Sequence, residues 1–374
     1  MIQELNKVSF KKLILFSLIT IGGSLVYFTF PDMSSATASA SGSVLVDKIE
    51  QSDGWGVIAV DPDTSKVYVT NFKSTTVTVV DGTTNKPLSV IEVGRTPYGI
   101  GINTHTKMLY VALEYNDTLA IINTTTGKII KQIDLVEPYD IAVNSKTNKV
   151  YVTSDKTNLV SLVDGSTNEI ILTFDVQKPC GISVNQATNM VYVTSESTNK
   201  VHVIDGSDNN LVTTIDVGKS PRGVVANPNT NMVYVTNQLE GTVDVIDGSK
   251  NEVIDTILVE NTPRRVVVNP DTNILYVSNQ ISNSLSVIDG KTNEVIDSIP
   301  VEQPFEMVIN PKTNKIYTTY SGHTILSIVN DVERDQNTLD DSSKIIGMLG
   351  AGAIAAIIAF FVIQKKKLKP EQKF

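Results

Sequence analysis

The sequence predicts an all-β fold, a seven-bladed β-propeller of four-stranded blades, flanked by N- and C-terminal apolar segments of transmembrane-helix length. The first observation behind this prediction is a unit that recurs every 41 or 42 residues. The second is that each copy consists of short runs of Val, Ile, Thr and Tyr separated by Asn, Asp, Gly and Pro, which is typical of strands and turns. The repeat is marked by seven tyrosines: Tyr68, Tyr110, Tyr151, Tyr192, Tyr234, Tyr276 and Tyr317.

Each unit predicts four antiparallel strands, A to D. In the unit that begins at Pro221, these are A (Gly223–Asn227), B (Met232–Asn237), C (Gly241–Ile246) and D (Val253–Val259). An Asn-Pro-x-Thr phrase between A and B suits a type I turn, and Asp-Gly between C and D permits a positive φ. Four strands at this period are typical of a propeller blade, which buries its faces only by stacking on neighbouring blades.

The ends of the repeat array predict how the ring closes. The seventh unit supplies strands over Glu306–Asn310, Lys315–Tyr320 and Thr324–Val329, and it has no fourth strand. The stretch Val44–Ile49 resembles the D strands of other units, so we expect it to complete blade 7 and to bound the propeller at 44–330. An open β-solenoid is the alternative, and it would need no borrowed strand.

Two uncharged apolar segments flank the repeats. Residues 13–30 follow Lys7, Lys11 and Lys12, and residues 345–363 precede a basic tail at 364–374. Each segment is about as long as a helix that crosses a bilayer, and positive residues stay cytoplasmic, so we expect the propeller outside the cell and the C-terminal tail inside. A buried core helix is the alternative for each segment.

The N-terminal segment also resembles a signal peptide. Small residues follow it in SSATASASG, so residues 1–40 are either a cleaved signal or a retained anchor. At the other end, residues 331–344 are rich in Asp and predict an acidic stalk between the propeller and the membrane helix at 345–363.

Composition restricts the chemistry. The chain of 374 residues has one Cys, which excludes an internal disulfide framework and Cys-cluster metal sites. Its three His fall in different units, which leaves no His-rich metal centre and no Ser/His/Asp set. A net charge of −9 argues against a nucleic-acid partner. We therefore expect no catalytic constellation, no metal and no cofactor.

The repeated phrases resemble a known family. YVTN (Tyr68–Asn71, Tyr234–Asn237), VIDG (Val203–Gly206) and Pro-x-Gly (Pro97–Gly99) resemble the YVTN-family β-propeller repeat. The resemblance implies a seven-bladed propeller in a cell-surface or surface-layer protein of archaeal type. The sequence departs from the pattern where Asp140, Arg265 and Glu306 replace the last Gly of Pro-x-Gly, and where blade 1 has Asp53-Gly54-Trp55-Gly56.

Propellers usually bind ligands near the axis, on the face that bears the D–A and B–C loops, and we call this the loop face. Positions that vary between blades on that face are candidates for ligand or partner binding. From the D–A loops these are Trp55, Tyr98, Tyr139, Arg222, Arg264, Arg265, Phe305 and Glu306, with Cys180 at the same position in blade 4. The B–C loops add Phe72, Lys73, Glu114, Tyr115, Asp155, Lys156, Gln238, Glu240 and His323. Aromatic residues and Arg are good binding anchors, and the alternative is that these residues only fill the mouth of the channel.

Asn116 and Asn123 begin Asn-x-Thr motifs and are candidate glycosylation sites, unless the motifs arise by chance in a chain rich in Asn and Thr.

Two functions are consistent with these observations. The first is a membrane-anchored extracellular propeller that binds or scaffolds protein, glycan or envelope partners. The second is a surface enzyme with an axial active site, such as a lactonase-like hydrolase or a quinone- or metal-dependent dehydrogenase.

Overall fold

The computed structural model describes residues 20–21, 24–25, 44–50, 56–320 and 325–330. The chain divides into two compact units, Met1–Ser41 and Gly42–Phe374. In the first unit, β1 (Thr20–Ile21) pairs with β2 (Ser24–Leu25) as two short antiparallel strands. These four residues are strand rather than helix, and the rest of the apolar segment 13–30 lies outside the described residues.

The second unit is a seven-bladed β-propeller, as the repeat predicts. Each of its seven sheets has four antiparallel strands in the order A-B-C-D. Blades 1 and 2 comprise β4 (Ile58–Asp61), β5 (Lys66–Asn71), β6 (Thr76–Asp81), β7 (Lys86–Glu92), β8 (Pro97–Asn103), β9 (Met108–Leu113), β10 (Thr118–Asn123) and β11 (Lys128–Asp134). Blades 3 and 4 comprise β12 (Ile141–Asn144), β13 (Lys149–Ser154), β14 (Leu159–Asp164), β15 (Glu169–Asp175), β16 (Pro179–Asn185), β17 (Met190–Ser195), β18 (Lys200–Asp205) and β19 (Asn210–Asp216). Blades 5 and 6 comprise β20 (Pro221–Ala226), β21 (Met232–Asn237), β22 (Thr242–Asp247), β23 (Glu252–Leu258), β24 (Pro263–Asn269), β25 (Ile274–Asn279), β26 (Ser284–Asp289) and β27 (Glu294–Pro300).

Blade 7 closes the ring with a borrowed strand. It contains β28 (Pro304–Asn310), β29 (Lys315–Tyr320) and β30 (Ile325–Asn330), and β3 (Val44–Glu50) pairs antiparallel with β30 as the outer strand. The inner strand of blade 7 also contacts the inner strand of blade 1. The predicted closure is therefore confirmed, and the open solenoid is excluded.

Predicted strand boundaries agree to within two residues. Strand B of blade 5 spans Met232–Asn237 as predicted, whereas its strand A begins at Pro221 rather than Gly223. The inner strands of five blades begin at a Pro. In blade 5, a shift in the pairing register lies between this Pro221 and Val224, the next paired residue of the strand.

The other predicted segments cannot be compared with the structure. The acidic stalk at 331–344, the apolar segment 345–363 and the basic tail lie outside the described residues. Among the residues that the structure does describe, no helix is both long enough and apolar enough to span a bilayer.

The hydrophobic core lies between the blades. One cluster joins Val77 and Tyr68 of blade 1 to Leu109 and Val111 of blade 2, and similar clusters occupy the other junctions. Val and Ile dominate because β-branched side chains pack well on a pleated sheet. The outer strands, in contrast, expose most of their side chains. A blade therefore buries its apolar side chains only by packing against the neighbouring blades.

The repeated tyrosine joins each blade to the next. All seven tyrosine side chains are buried, and that of Tyr317 donates a hydrogen bond to the carbonyl of Gly82 in blade 1 at 3.2 Å. A Cβ on Gly248 would lie 2.9 Å from the hydroxyl of Tyr192 in the preceding blade. The Gly of Asp-Gly therefore leaves space for the neighbour's tyrosine. The positive φ expected at this Gly lies instead on an Asn later in the same turn, 56° at Asn251.

Burial raises the pKa of six of these tyrosines to about 12, and for five of them the Asp of the neighbouring turn adds to the effect. The six, which we call the ring tyrosines, are Tyr68, Tyr110, Tyr151, Tyr192, Tyr234 and Tyr317.

An asparagine ladder joins the blades on the face of the A–B and C–D turns, which is opposite the loop face and is where the tyrosine hydroxyls also lie. The Asn that ends strand A donates to an Asn in the A–B turn of the next blade, as from Asn227 to Asn273 at 2.7 Å. The acceptor has a positive φ, 59° at Asn273, which Asn tolerates better than most residues. The ladder is interrupted at blade 1, where Ser65 takes the acceptor position and the side-chain amide of Asn310 has no partner among the described residues.

Candidate functional site

A threonine in strand B positions the residues at the axis. Thr194 accepts a hydrogen bond from the backbone N–H of Gly181 at 2.8 Å and donates to the carbonyl of Arg222 in the next blade at 2.8 Å. Thr236 connects in the same way to the carbonyl of Arg264. The Thr of the YVTN phrase thus fixes the backbone at the start of two neighbouring inner strands.

The variable residues predicted from the D–A loops lie at this end of the inner strands. Tyr98, Arg222, Arg264 and Phe305 each follow the Pro that begins their strand, and Tyr139 takes the matching place in blade 3. Trp55 and His323 lie outside the described residues.

Glycine follows at the next position in four blades because the neighbouring backbone approaches closely. A Cβ on Gly181 would lie 2.2 Å from the carbonyl oxygen of Arg222, and one on Gly99 would lie 2.0 Å from that of Tyr139. Blades 3, 6 and 7 have Asp140, Arg265 and Glu306 instead. These three departures from the repeat are therefore the places where the ring admits a side chain.

The three departures meet. Arg265 Nη1 lies 2.8 Å from Asp140 Oδ2, and Arg265 Nε donates to Glu306 Oε2. Asp140 and Glu306 are 5% and 2% exposed, so both carboxylates are buried, whereas Arg265 between them is half-buried. In the sequence, Asp140 stands out only as a departure from the repeat. Its signal was that it replaces the same Gly as two of the predicted site residues.

Aromatic side chains complete the arrangement. Arg264 Nη2 donates to Tyr98 Oη at 3.2 Å, and its guanidinium carbon lies 3.5 Å from the centre of the Phe305 ring. The rings of Tyr98 and Tyr139 stack at 4.7 Å, and Tyr98 Oη donates to Tyr139 Oη at 3.0 Å. Arg264 Nε also lies 3.6 Å from Glu306 Oε1. We call the set Tyr98, Tyr139, Asp140, Arg264, Arg265, Phe305 and Glu306 the axial cluster.

Electrostatics fix the protonation states of several groups. Burial lowers the pKa of the Arg265 guanidinium, but Asp140 and Glu306 outweigh burial and hold this pKa well above its usual range. Burial raises the pKa of Tyr139 to about 12 and that of Tyr98 well above 10. It also raises the pKa of the Cys180 thiol, so Cys180 is a protonated, buried thiol rather than a reactive thiolate.

The axial cluster fills the end of the channel. The cavity between Tyr139, Cys180, Arg222 and Arg264 has a volume of about 10 Å³, which is the space of about one water molecule. Most of the predicted anchors therefore contact one another. Arg222 differs, because its charged end also contacts B–C loop residues. Its Nε donates to Gln238 at 3.1 Å, and its Nη2 lies 3.6 Å from Glu196 Oε2.

Large apolar side chains stand at the tips of three B–C loops. Tyr115, Leu239 and Ile281 are 70%, 75% and 69% exposed, and they occupy the same position in blades 2, 5 and 6. Of these three, only Tyr115 was predicted from the sequence; Leu239 and Ile281 were not. Their signal was an apolar residue at a turn position where blades 1 and 3 have Lys73 and Lys156.

The two Asn-x-Thr motifs have different surroundings. Asn116 is exposed in a 3-10 turn (Glu114–Asn116), also in a B–C loop. Asn123 replaces the Asp of the C–D turn, and its side-chain oxygen accepts from the backbone N–H of Thr125 at 3.0 Å and of Thr126 at 3.1 Å. The side chain of Asn123 thus stabilises the turn. Among the described contacts, the side chain of Asn116 makes no comparable hydrogen bond.

Within the described part of the chain, no group of three or more His, Cys, Asp or Glu side chains lies close enough together to hold a metal ion. His105 is in an A–B turn of blade 2 and His202 is in β18 of blade 4.

Comparison with models of known protein families finds no match for the chain, and comparison with curated proteins finds none either.

Proposed function

We propose that this protein is a binding or scaffolding module that presents its loop face to a protein, glycan or envelope partner. The observation that carries the proposal is the contrast on this face between a closed axis and exposed loop tips. The axial cavity has room for about one water molecule, whereas Leu239 and Ile281 on neighbouring blades are about 70% exposed. Exposed apolar groups beside a half-buried Arg222 suit a partner surface better than a small substrate.

The proposed location of the module is the outer face of a membrane. The apolar segments, the basic flanks and the resemblance to the YVTN repeat support a propeller on the outer face of a membrane, held by residues 345–363 as in archaeal-type surface proteins. Asn116, exposed in a loop, is then a glycan acceptor. The partners are the membrane and an extracellular protein or glycan.

Capture of partners from intact cell envelope by the full-length protein tests the binding role. Leu239→Ser together with Ile281→Ser should abolish the specific capture, because the two changes remove the apolar loop tips of blades 5 and 6. Ile171→Ser is the matched control, since Ile171 is also an exposed aliphatic residue, at 49%, but lies on the outer strand of blade 3. Equal capture by all three proteins would contradict the proposal.

Deletion of residues 345–374 tests the anchor separately. The truncated protein should leave the membrane fraction, while the full-length protein stays in it after a high-salt wash. Retention of the truncated protein at the cell surface would show that the anchor lies elsewhere.

A further inference from the structure

A cleft on the loop face separates blades 1 and 2. It has a volume of about 450 Å³, and its walls come from the B–C turn of blade 1 (72–75), from Arg95 and Thr96 before blade 2, and from Tyr115. This volume lies within the range of about 300–1,000 Å³ that is usual for small-molecule sites. The cleft is distinct from the axial cavity, which has room for about one water molecule.

Aromatic side chains line this cleft. The ring of Tyr115 is 70% exposed, and Phe72 is half-buried, with its ring edge-on to Tyr98 at 5.8 Å. Phe72 occupies a turn position that is acidic or an amide in the next five blades: Glu114, Asp155, Glu196, Gln238 and Gln280. Blade 1 therefore presents an aromatic ring where its neighbours present a polar group.

Two cations in the cleft have no counter-ion in the described part of the chain. Lys73 and Arg95 are exposed and form no ion pair there. In the following blades, cations at these loops are paired, as Lys156 with Glu137 at 2.9 Å and Lys178 with Glu196 at 3.2 Å.

Acidic residues also border the cleft. Glu114 precedes Tyr115, and its backbone N–H donates to the carbonyl of Thr96 at 3.2 Å. Glu92 accepts a hydrogen bond from the hydroxyl of Thr75 at 2.8 Å, and it forms no ion pair with Lys73 or Arg95. In a chain of net charge −9, two cations without a counter-ion in the described part of the chain, beside the exposed Tyr115, are a local site for an anion.

We propose that this cleft binds an acidic saccharide. Tyr115 offers a ring face on which a sugar packs, Lys73 and Arg95 pair with the carboxylate, and the hydroxyls of Ser74 and Thr96 meet the sugar hydroxyls. Hydroxyl side chains suit this ligand because each can both donate and accept a hydrogen bond. The inference rests on the proposed binding function and names one site and one ligand class for it.

Titration calorimetry of the full-length protein with a tetrasaccharide of galacturonic acid tests the site. Lys73→Ala with Arg95→Ala should weaken binding at least about tenfold, because both charge-assisted contacts are lost. Tyr115→Ala should also weaken it, by about fivefold or more. Lys156→Ala is the matched control. Lys156 occupies the position of Lys73 in blade 3 but pairs with Glu137 and does not line the cleft, so the change should alter the affinity less than about twofold.

Three outcomes would overturn the inference. They are equal binding of the neutral galactose tetrasaccharide, unchanged affinity in the Lys73/Arg95 double variant, and no binding of the acidic tetrasaccharide at millimolar concentration. The envelope capture described above separates this inference from the proposed function. If wild-type protein captures partners but binds no acidic tetrasaccharide, only the cleft assignment fails. If wild-type protein captures nothing, the proposed function itself fails.

Discussion

Replacing Arg265 by Met tests whether the axial cluster stabilises the ring through charge. The side chains of Arg264, Arg265, Asp140 and Glu306 are neutral as a set. Arg265→Met leaves one positive and two negative charges in a nearly closed space. Met keeps an unbranched apolar stem of similar length, so the main loss is the guanidinium.

The expected cost follows from the burial of the partners. Asp140 loses its contact at 2.8 Å and, among the described residues, keeps backbone donors alone, the N–H of Ile141 at 3.0 Å and that of Ile182 at 3.4 Å. Glu306 keeps Arg264 at 3.6 Å. Removing one partner of a buried ion pair typically costs about 3–5 kcal/mol, so we expect the free energy of unfolding to fall by that amount.

Urea unfolding of the full-length protein, followed by far-ultraviolet circular dichroism, measures the loss. Arg265→Met combined with Asp140→Asn makes the cluster neutral again and should recover most of the lost stability. Lys156→Met is the control for an exposed pair, since the Lys156 and Glu137 side chains are 54% and 26% exposed, and it should leave the free energy of unfolding close to the wild-type value because solvent screens such a pair. The reasoning is refuted if the double variant is as unstable as Arg265→Met, or if Arg265→Met is as stable as wild type.

Other predictions concern the contacts between blades. Tyr317→Phe should lower the free energy of unfolding by about 1 kcal/mol because it removes a hydrogen bond, whereas Tyr192→Phe should change it by less than about 0.5 kcal/mol, since its hydroxyl has no partner among the described residues. Ser65→Asn should raise the free energy of unfolding by about 1 kcal/mol, because it gives the side-chain amide of Asn310 an acceptor. Denaturant melts that show no gain would contradict this. Deleting residues 44–50 should abolish cooperative unfolding because blade 7 loses its outer strand, and an unchanged melt would contradict the closed ring. Alkaline pH should unfold the ring. The unfolded chain releases the protons of the ring tyrosines near pH 10, whereas the folded protein holds them to about pH 12. The free energy of unfolding therefore falls as the pH rises between these values. A free energy of unfolding that stays constant up to pH 12 would contradict this.

The sequence predicts the blade well because its determinants are local. Strand B of blade 5 has its predicted bounds at Met232–Asn237, and the borrowed strand was predicted as Val44–Ile49 and observed as Val44–Glu50. Alternating β-branched residues and turn residues act over a few positions, and seven copies repeat the same signal. The A strands were less exact, because a Pro at their start, such as Pro221, pairs with the ladder across a register shift.

The site was predicted only as a set of variable positions. Sequence spacing placed Tyr98, Arg264 and Glu306 on one face, but it gave no reason to pair Arg265 with Asp140, which is 125 residues away. Whether these side chains bind a partner or fill the channel depends on the width of the channel and on rotamers, neither of which the repeat encodes.

By itself, the sequence determined the number of blades, the four strands in each, the borrowed closing strand and the positions at which the repeat varies. Only the tertiary structure decided what the repeated and the variable residues contact. The tyrosine of one blade meets the Asp-Gly turn of the next, and three departures from glycine form one charge cluster across the axis. The physical reason is ring closure, which brings residues from different blades within hydrogen-bonding distance, whereas local patterns specify only the blade to which each belongs.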